Sequence, residues 1–153
     1  MLTEVILESI INQLNHAVII CDKDGNFILW NTAAKEMIGL EEDIASTGTW
    51  QNYYYASKED GSLYEDKDYP IMRAVLKGEA IKKERMLINN RSKEIVSWLE
   101  VDAFPVKDDK GNIIAGVASF NDITKSLKLE SLVDEITTQF EHLKQLITNN
   151  FFK

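Results

Sequence analysis

Two histidines, one cysteine and 25 carboxylates are the groups through which this chain could act on a substrate, and their placement decides against catalysis. His16 and His142 sit near opposite ends, outside any metal-ligand spacing or Ser/His/Asp arrangement. The seven glycines form no Gly-x-Gly loop to cradle a phosphate, and no Cys-x-x-Cys-His is present to attach haem covalently. Cys21 closes the run Ala17-Val-Ile-Ile-Cys21, where a buried cysteine packs as a small apolar side chain. These residue types point to a module that binds rather than an enzyme.

The frame that must position them is a single ordinary domain. The chain has 153 residues, 44% hydrophobic and 27% charged, with a formal charge of −8. Its length suffices to bury roughly 70% of the unfolded surface without cross-links, and a lone cysteine provides no disulfide framework. No apolar run approaches the roughly 20 residues that span a bilayer, and residues 1–21 lack a basic start and a small-residue cleavage site. The expected compartment is therefore the cytoplasm, with no membrane segment. The acidic balance works against phosphate-backbone binding, so nucleic acid is not expected as a direct partner.

Periodicity supplies the elements. Leu2, Ile6, Ile10 and Leu14 recur at helical spacing, giving a helix over 2–14. Ala17–Cys21 and Asn26–Trp30 read as strands joined by Asp22-Lys-Asp-Gly25, a hairpin turn. Asn31 offers an N-cap oxygen to a helix over Thr32–Ile38 that Gly39 stops. Residues 40–69 lack periodicity and carry Trp50, Tyr53, Tyr54, Tyr55 and Tyr64, so short helical turns and loops are expected there. Pro70 opens a helix that ends at Gly78. Strands over Ala80–Ile88, Ile95–Val106 and Asn112–Asn121 follow, joined by polar turns. This order predicts an α+β fold: a five-stranded antiparallel sheet with short helices on one face.

The last stretch, Ile123–Lys153, has no Gly or Pro and reads as one long, coiled-coil-like helix. Leu129, Leu132, Ile136, Leu143 and Leu146 occupy heptad a and d positions, with Val133, Phe140 and Ile147 widening the stripe. Gln139 interrupts it once. The stripe is wider than one small sheet covers, so a second copy of the chain is the expected partner.

Taken in order, four segments resemble a PAS domain: Ile10 to Asn31 as its first hairpin and helix start, Pro70-Ile-Met-Arg-Ala-Val-Leu-Lys-Gly-Glu79 as its helix-to-strand segment, Trp98 to Gly116 as its last strands, and Asp122-Ile-Thr124 as the motif that opens a signalling helix. The resemblance implies a flanking helix over 1–15, a PAS domain over 16–122 and a signalling and dimerisation helix over 123–153. It further implies a signal-transduction sensor for a small molecule or partner. Such a module passes its signal through Asp122 and Thr124 to the last helix of a homodimer, and serves as input to a histidine kinase, cyclase or transcription regulator. A ligand-free scaffold that binds a partner protein with the outer sheet face, around Trp98, is the alternative. Haem-binding relatives use a central His, absent between residues 17 and 141, and the reactive-cysteine motif of flavin photoreceptors is missing. Leu143 follows His142 where a phospho-accepting kinase histidine is followed by an acid.

Alternation along the strands assigns the inner face. Leu99, Val101 and Ala103 share it with Ile95 and Ser97, while Val96, Trp98, Glu100, Asp102 and Phe104 face outward. Ile19, Cys21, Ile114, Gly116, Ala118 and Phe120 join the inner face opposite Met72, Val75 and Leu76, and these twelve are the expected pocket-lining residues. Gly116 and Ala118 are small enough to leave room. Residues 41–68 carry eight acids and two bases, which favours a neutral or cationic ligand, if any, over an anion.

Overall fold

The structure, a computed structural model, describes residues 1–40, 54–90 and 94–152. Its contacts divide the chain into two units, Met1–Asp122 and Ile123–Lys153. The first contains α1 (Leu2–Gln13), β1 (Ala17–Asp22), β2 (Phe27–Trp30), α2 (Thr32–Ile38), β3 (Tyr54–Ser57), α3 (Pro70–Lys77), β4 (Ile81–Asn90), β5 (Ile95–Lys107) and β6 (Ile113–Asp122). The second is α4 (Thr124–Phe151).

Among the described residues the strands form one antiparallel sheet in the order β2-β1-β6-β5-β4-β3. Five strands were expected; the sixth, β3, lies where loops and helical turns were expected. Its Tyr-Tyr-Ala-Ser sequence has no apolar alternation to announce it. Pairing with β4, from Tyr54 opposite Asn90 to Ser57 opposite Leu87, makes it a strand.

Local chemistry sets the helix ends. Asn31 Oδ1 caps α2 by accepting from the Ala34 N–H at 3.0 Å. Pro70 begins α3, and Gly78 ends it in the left-handed conformation at φ 71°. Inward, α3 buries Ile71, Ala74 and Val75. They pack on the core that Ile19, Leu99, Val101, Ala118 and Phe120 build from β1, β5 and β6.

Two departures from the expected strands matter. Ile114, expected inside, is 50% exposed. A bulge lets Val106 pair with Ala115 and Lys107 with Ile113, so Ile113 packs against the core while Ile114 is pushed outward. At the far end β4 runs to Asn90, although Asn89 and Asn90 were read as turn residues. Asn90 is buried, and its Nδ2 donates to the carbonyls of Ile38 (2.8 Å) and Gly39 (3.3 Å), clasping the end of β4 to the end of α2.

On the outer face, the register aligns Leu29, Ile20, Val117 and Phe104 in a row across β2, β1, β6 and β5. No described helix is long and apolar enough to cross a membrane.

Along α4 the expected stripe is present and uncovered within its own unit. Leu129, Leu132, Val133, Ile136, Phe140, Leu143, Leu146 and Ile147 are each between 45% and 63% exposed. In the first unit α1 likewise exposes Leu2, Val5, Ile6, Leu7 and Ile10.

Candidate functional site

A cavity with about 40 Å³ of room for water-sized molecules lies between the sheet and α2 and α3. Ile19, Met72, Leu99, Val101, Ala118 and Phe120 line it, as the alternation predicts for the sheet residues. Phe27, Ile38, Tyr54, Tyr69, Pro70, Ile71, Met86 and Ile88 are the other wall residues among those described. Of these, Met86 and Ile88 had a legible signal, since they alternate along β4 and the register sets them opposite Leu99 and Ser97. The others come from the start of β2, the end of α2, β3, and the residues at the start of α3, whose facing depends on tertiary pairing. Of the aromatic segment, Trp50 and Tyr53 lie outside the described residues.

The remaining candidates divide by position. Cys21, Val75, Ala103 and Gly116 are buried but off the cavity. A Cβ on Gly116 would stand 3.0 Å from Cys21 Sγ, 3.1 Å from Val75 Cβ and 3.3 Å from the Ile71 carbonyl oxygen. Gly116 therefore leaves room for α3 to seat on β6, not for a ligand. Leu76 is 48% exposed. It is not a wall residue, because α3 turns Ile71, Ala74 and Val75 inward and leaves the next position on its flank. Ile114 is removed from the wall by the bulge. Gly25, in the β1–β2 turn at φ 87°, lets Met72 approach so closely that a Cβ there would lie 2.5 Å from the Met72 Cε.

Among the described residues the wall has no charged side chain. Burial, followed by the neighbouring Tyr69, raises the Tyr54 hydroxyl well above its ordinary value. Burial likewise pushes Tyr69 up to about 12, partly offset by a backbone hydrogen bond from Ala56. Both hydroxyls stay neutral at ordinary pH. Burial also raises the Cys21 thiol, so it is held in the protonated, poorly nucleophilic form. No group of three or more possible metal ligands occurs among the described residues.

A polar brace stands behind the aromatic part of the wall. Arg73 Nη1 donates to Glu84 Oε2 at 2.8 Å and to Oε1 at 3.0 Å, and its Nε donates to Glu79 Oε2 at 3.0 Å. The Tyr64 hydroxyl donates to the same Glu84 at 2.7 Å. The Tyr64 ring lies 5.2 Å from that of Tyr69, so α3, β4 and the segment before α3 are tied together around the Tyr69 side of the cavity.

An antiparallel sheet closing a small apolar chamber under short helices, with a long helix following its central strand in sequence, defines an α+β domain. The family model of the PAS domain matches residues 15–125, and the chain belongs to that family.

Solved structures share the fold at low sequence identity. The PAS domain of nitrogen regulation protein NR(II) from Vibrio parahaemolyticus is 15% identical with a TM-score of 0.55, over 76% of this chain and 97% of that one. The PAS domain of the fruit-fly ELK potassium channel is 14% identical with a TM-score of 0.59, over 81% and 98%. An RNA-binding light-oxygen-voltage receptor is 18% identical with a TM-score of 0.62, over 94% of this chain but only 39% of the receptor chain. No curated protein sequence matches the chain.

Proposed function

We propose that this PAS domain is the sensor of a signal-transduction protein. Its cavity takes a small, neutral, largely apolar molecule, and occupancy is passed through β6 to α4 in a homodimer. The observation that carries the ligand class is the lack of charge among the described residues of the wall, which leaves the desolvation of an anion or a cation uncompensated by them. The small volume favours a guest of few heavy atoms over a planar cofactor of the size that fills pockets of about 300 Å³ and more. The relay reading rests on chain continuity: Asp122 ends β6 and Thr124 starts α4. The homodimer reading rests on the uncovered stripe of α4 and on its charge, since residues 123–153 carry four acids and four bases.

Two experiments on the full chain test this. Light scattering should give a dimer mass that falls to the monomer in the Leu132→Glu, Ile136→Glu double variant; an unchanged dimer mass removes α4 from the interface. Ala118→Leu should fill the chamber and abolish uptake of methylenecyclopentane, followed by the wall's methyl resonances. Undiminished uptake in that folded variant places the binding elsewhere.

A further inference from the structure

The described wall of the cavity is buried at every residue but two. Phe27 and Met72 are the exceptions: both line the chamber, and both keep part of their surface in solvent. A side chain that faces the cavity on one side and water on the other leaves the wall one side chain thick. Among the described residues, that thin stretch joins the start of β2 to the first turn of α3.

The two residues are held differently. The Phe27 ring stands edge-on to Trp30 at 5.2 Å, and Trp30 is itself 4% exposed, so Phe27 is braced from behind. The turn before Phe27 is fixed as well. Asp22 Oδ1 accepts from the Asp24 and Asn26 N–H groups at 2.9 Å each, and Asp22 Oδ2 accepts from Asn26 Nδ2 at 3.0 Å. Met72 reaches across to this turn with a flexible, unbranched side chain. Its Cε ends beside Gly25, where a Cβ would stand 2.5 Å away, so the missing side chain of Gly25 makes the slot that receives the thioether. The Met72 N–H donates to the Tyr69 carbonyl at 2.9 Å, which anchors its backbone in α3. Rotation about the side-chain bonds therefore moves the thioether without moving the helix.

We infer that Met72 is the gate of the cavity: its side chain lies across a mouth between α3 and the Gly25–Phe27 segment, and small apolar guests enter and leave as it swings aside. This rests on the cavity-binding reading above and adds the route of access and the residue that sets how fast the chamber fills. Met72 and Phe27 offer no charge to a passing ion, so the mouth admits the same neutral, apolar class as the wall. The consequence is kinetic. A gate slows entry and exit alike, so shortening it raises both rates and changes affinity far less.

The test is a methylenecyclopentane titration of the full chain, with association and dissociation rate constants read from the line shapes of the wall's methyl resonances. Met72→Cys shortens the gate, and capping its thiol as the methyl disulfide restores an unbranched chain close to the length of methionine. Cys21 is buried and its thiol is held protonated, so the capping reagent spares it. Both rate constants should rise about tenfold in Met72→Cys, equivalent to about 1.4 kcal/mol off the barrier, and fall back on capping. Ile88→Val alters a wall residue on β4, far from β2 in the strand order, and should leave the association rate unchanged. Equal association rates in free and capped Met72→Cys, or the same rise in Ile88→Val, overturn the gate and leave the cavity reading intact. No binding of methylenecyclopentane to the wild type overturns the cavity reading itself. If Met72→Cys does not fold, Met72→Ala opens the same mouth, and an association rate equal to that of the wild type overturns the gate.

Discussion

His16 Nδ1 lies 2.6 Å from Asn121 Oδ1, so the residue leading into β1 is bonded to the penultimate residue of β6. The same His16 contributes its carbonyl to Asn31 Nδ2 at 2.9 Å, and Asn31 Nδ2 also reaches the Ile11 carbonyl in the last turn of α1 at 3.0 Å. A strap of side-chain bonds thus joins the end of α1, the start of β1, the cap of α2 and the end of β6.

The strap predicts a measurable coupling. In urea melts, a double-mutant cycle of His16→Ala and Asn121→Ala should give about 0.5 kcal/mol of interaction, small because the pair is exposed. Additive single effects would show that the contact contributes nothing to the fold.

Asn31 should matter far more. Asn31→Ala removes the bonds from Val18 N and Ala34 N and takes the Asn31 donor away from the carbonyls of His16 and Ile11, the latter keeping its bond from the Leu14 N–H. The expected loss is about 2–4 kcal/mol, read as a lower urea midpoint at unchanged slope. A midpoint equal to that of the wild type contradicts this account of the strap.

Acid should destabilise the hairpin turns. The Asp22 carboxylate is lowered by the Asn26 side-chain amide and then by the Asn26 backbone N–H, and Asp108 by the Asn112 backbone N–H first. Their folded values lie below the ordinary carboxylate value of about 3.9. As pH falls the unfolded chain therefore takes up these protons first. The stabilisation is complete above pH about 4 and is lost as pH drops through the folded values. The double variant Asp22→Asn, Asp108→Asn should be less stable at pH 7 and show a flatter acid limb in pH-dependent urea melts. A limb of unchanged steepness assigns acid sensitivity to other carboxylates.

Gly116 should tolerate no side chain. Gly116→Ala must displace Cys21 Sγ, Val75 or the Ile71 carbonyl, at a cost of about 1–3 kcal/mol. Adding Cys21→Ala should recover part of that loss in thermal melts; no recovery would mean that the α3 backbone is the rigid contact.

These positions mark where the sequence was legible. Alternation placed Leu99, Val101, Ala118 and Phe120 correctly, because period-two burial is local along each strand. The bulge at Ile114 was hidden, since one extra residue reverses the phase and leaves no compositional trace. β3 and the buried Asn90 were hidden for a related reason: polar and aromatic residues took their roles from partners at β4 and α2, far away in sequence. Six of the twelve expected lining residues reach the cavity. The rest of its described wall depends on how β2 and β3 extend the sheet and how α2 and α3 close over it. The Asp24-Gly25 turn and the Asn31 cap carried their own signatures and were readable directly.

The central claim, that filling the cavity moves the β6-to-α4 connection, is tested most directly by a combined methyl and amide NMR titration of the full chain with methylenecyclopentane. The account predicts saturable shifts at the Met86 and Leu99 methyls and, with the same midpoint, at the amides of Asp122, Ile123 and Thr124. Shifts at the cavity wall with none at residues 122–124 would contradict it.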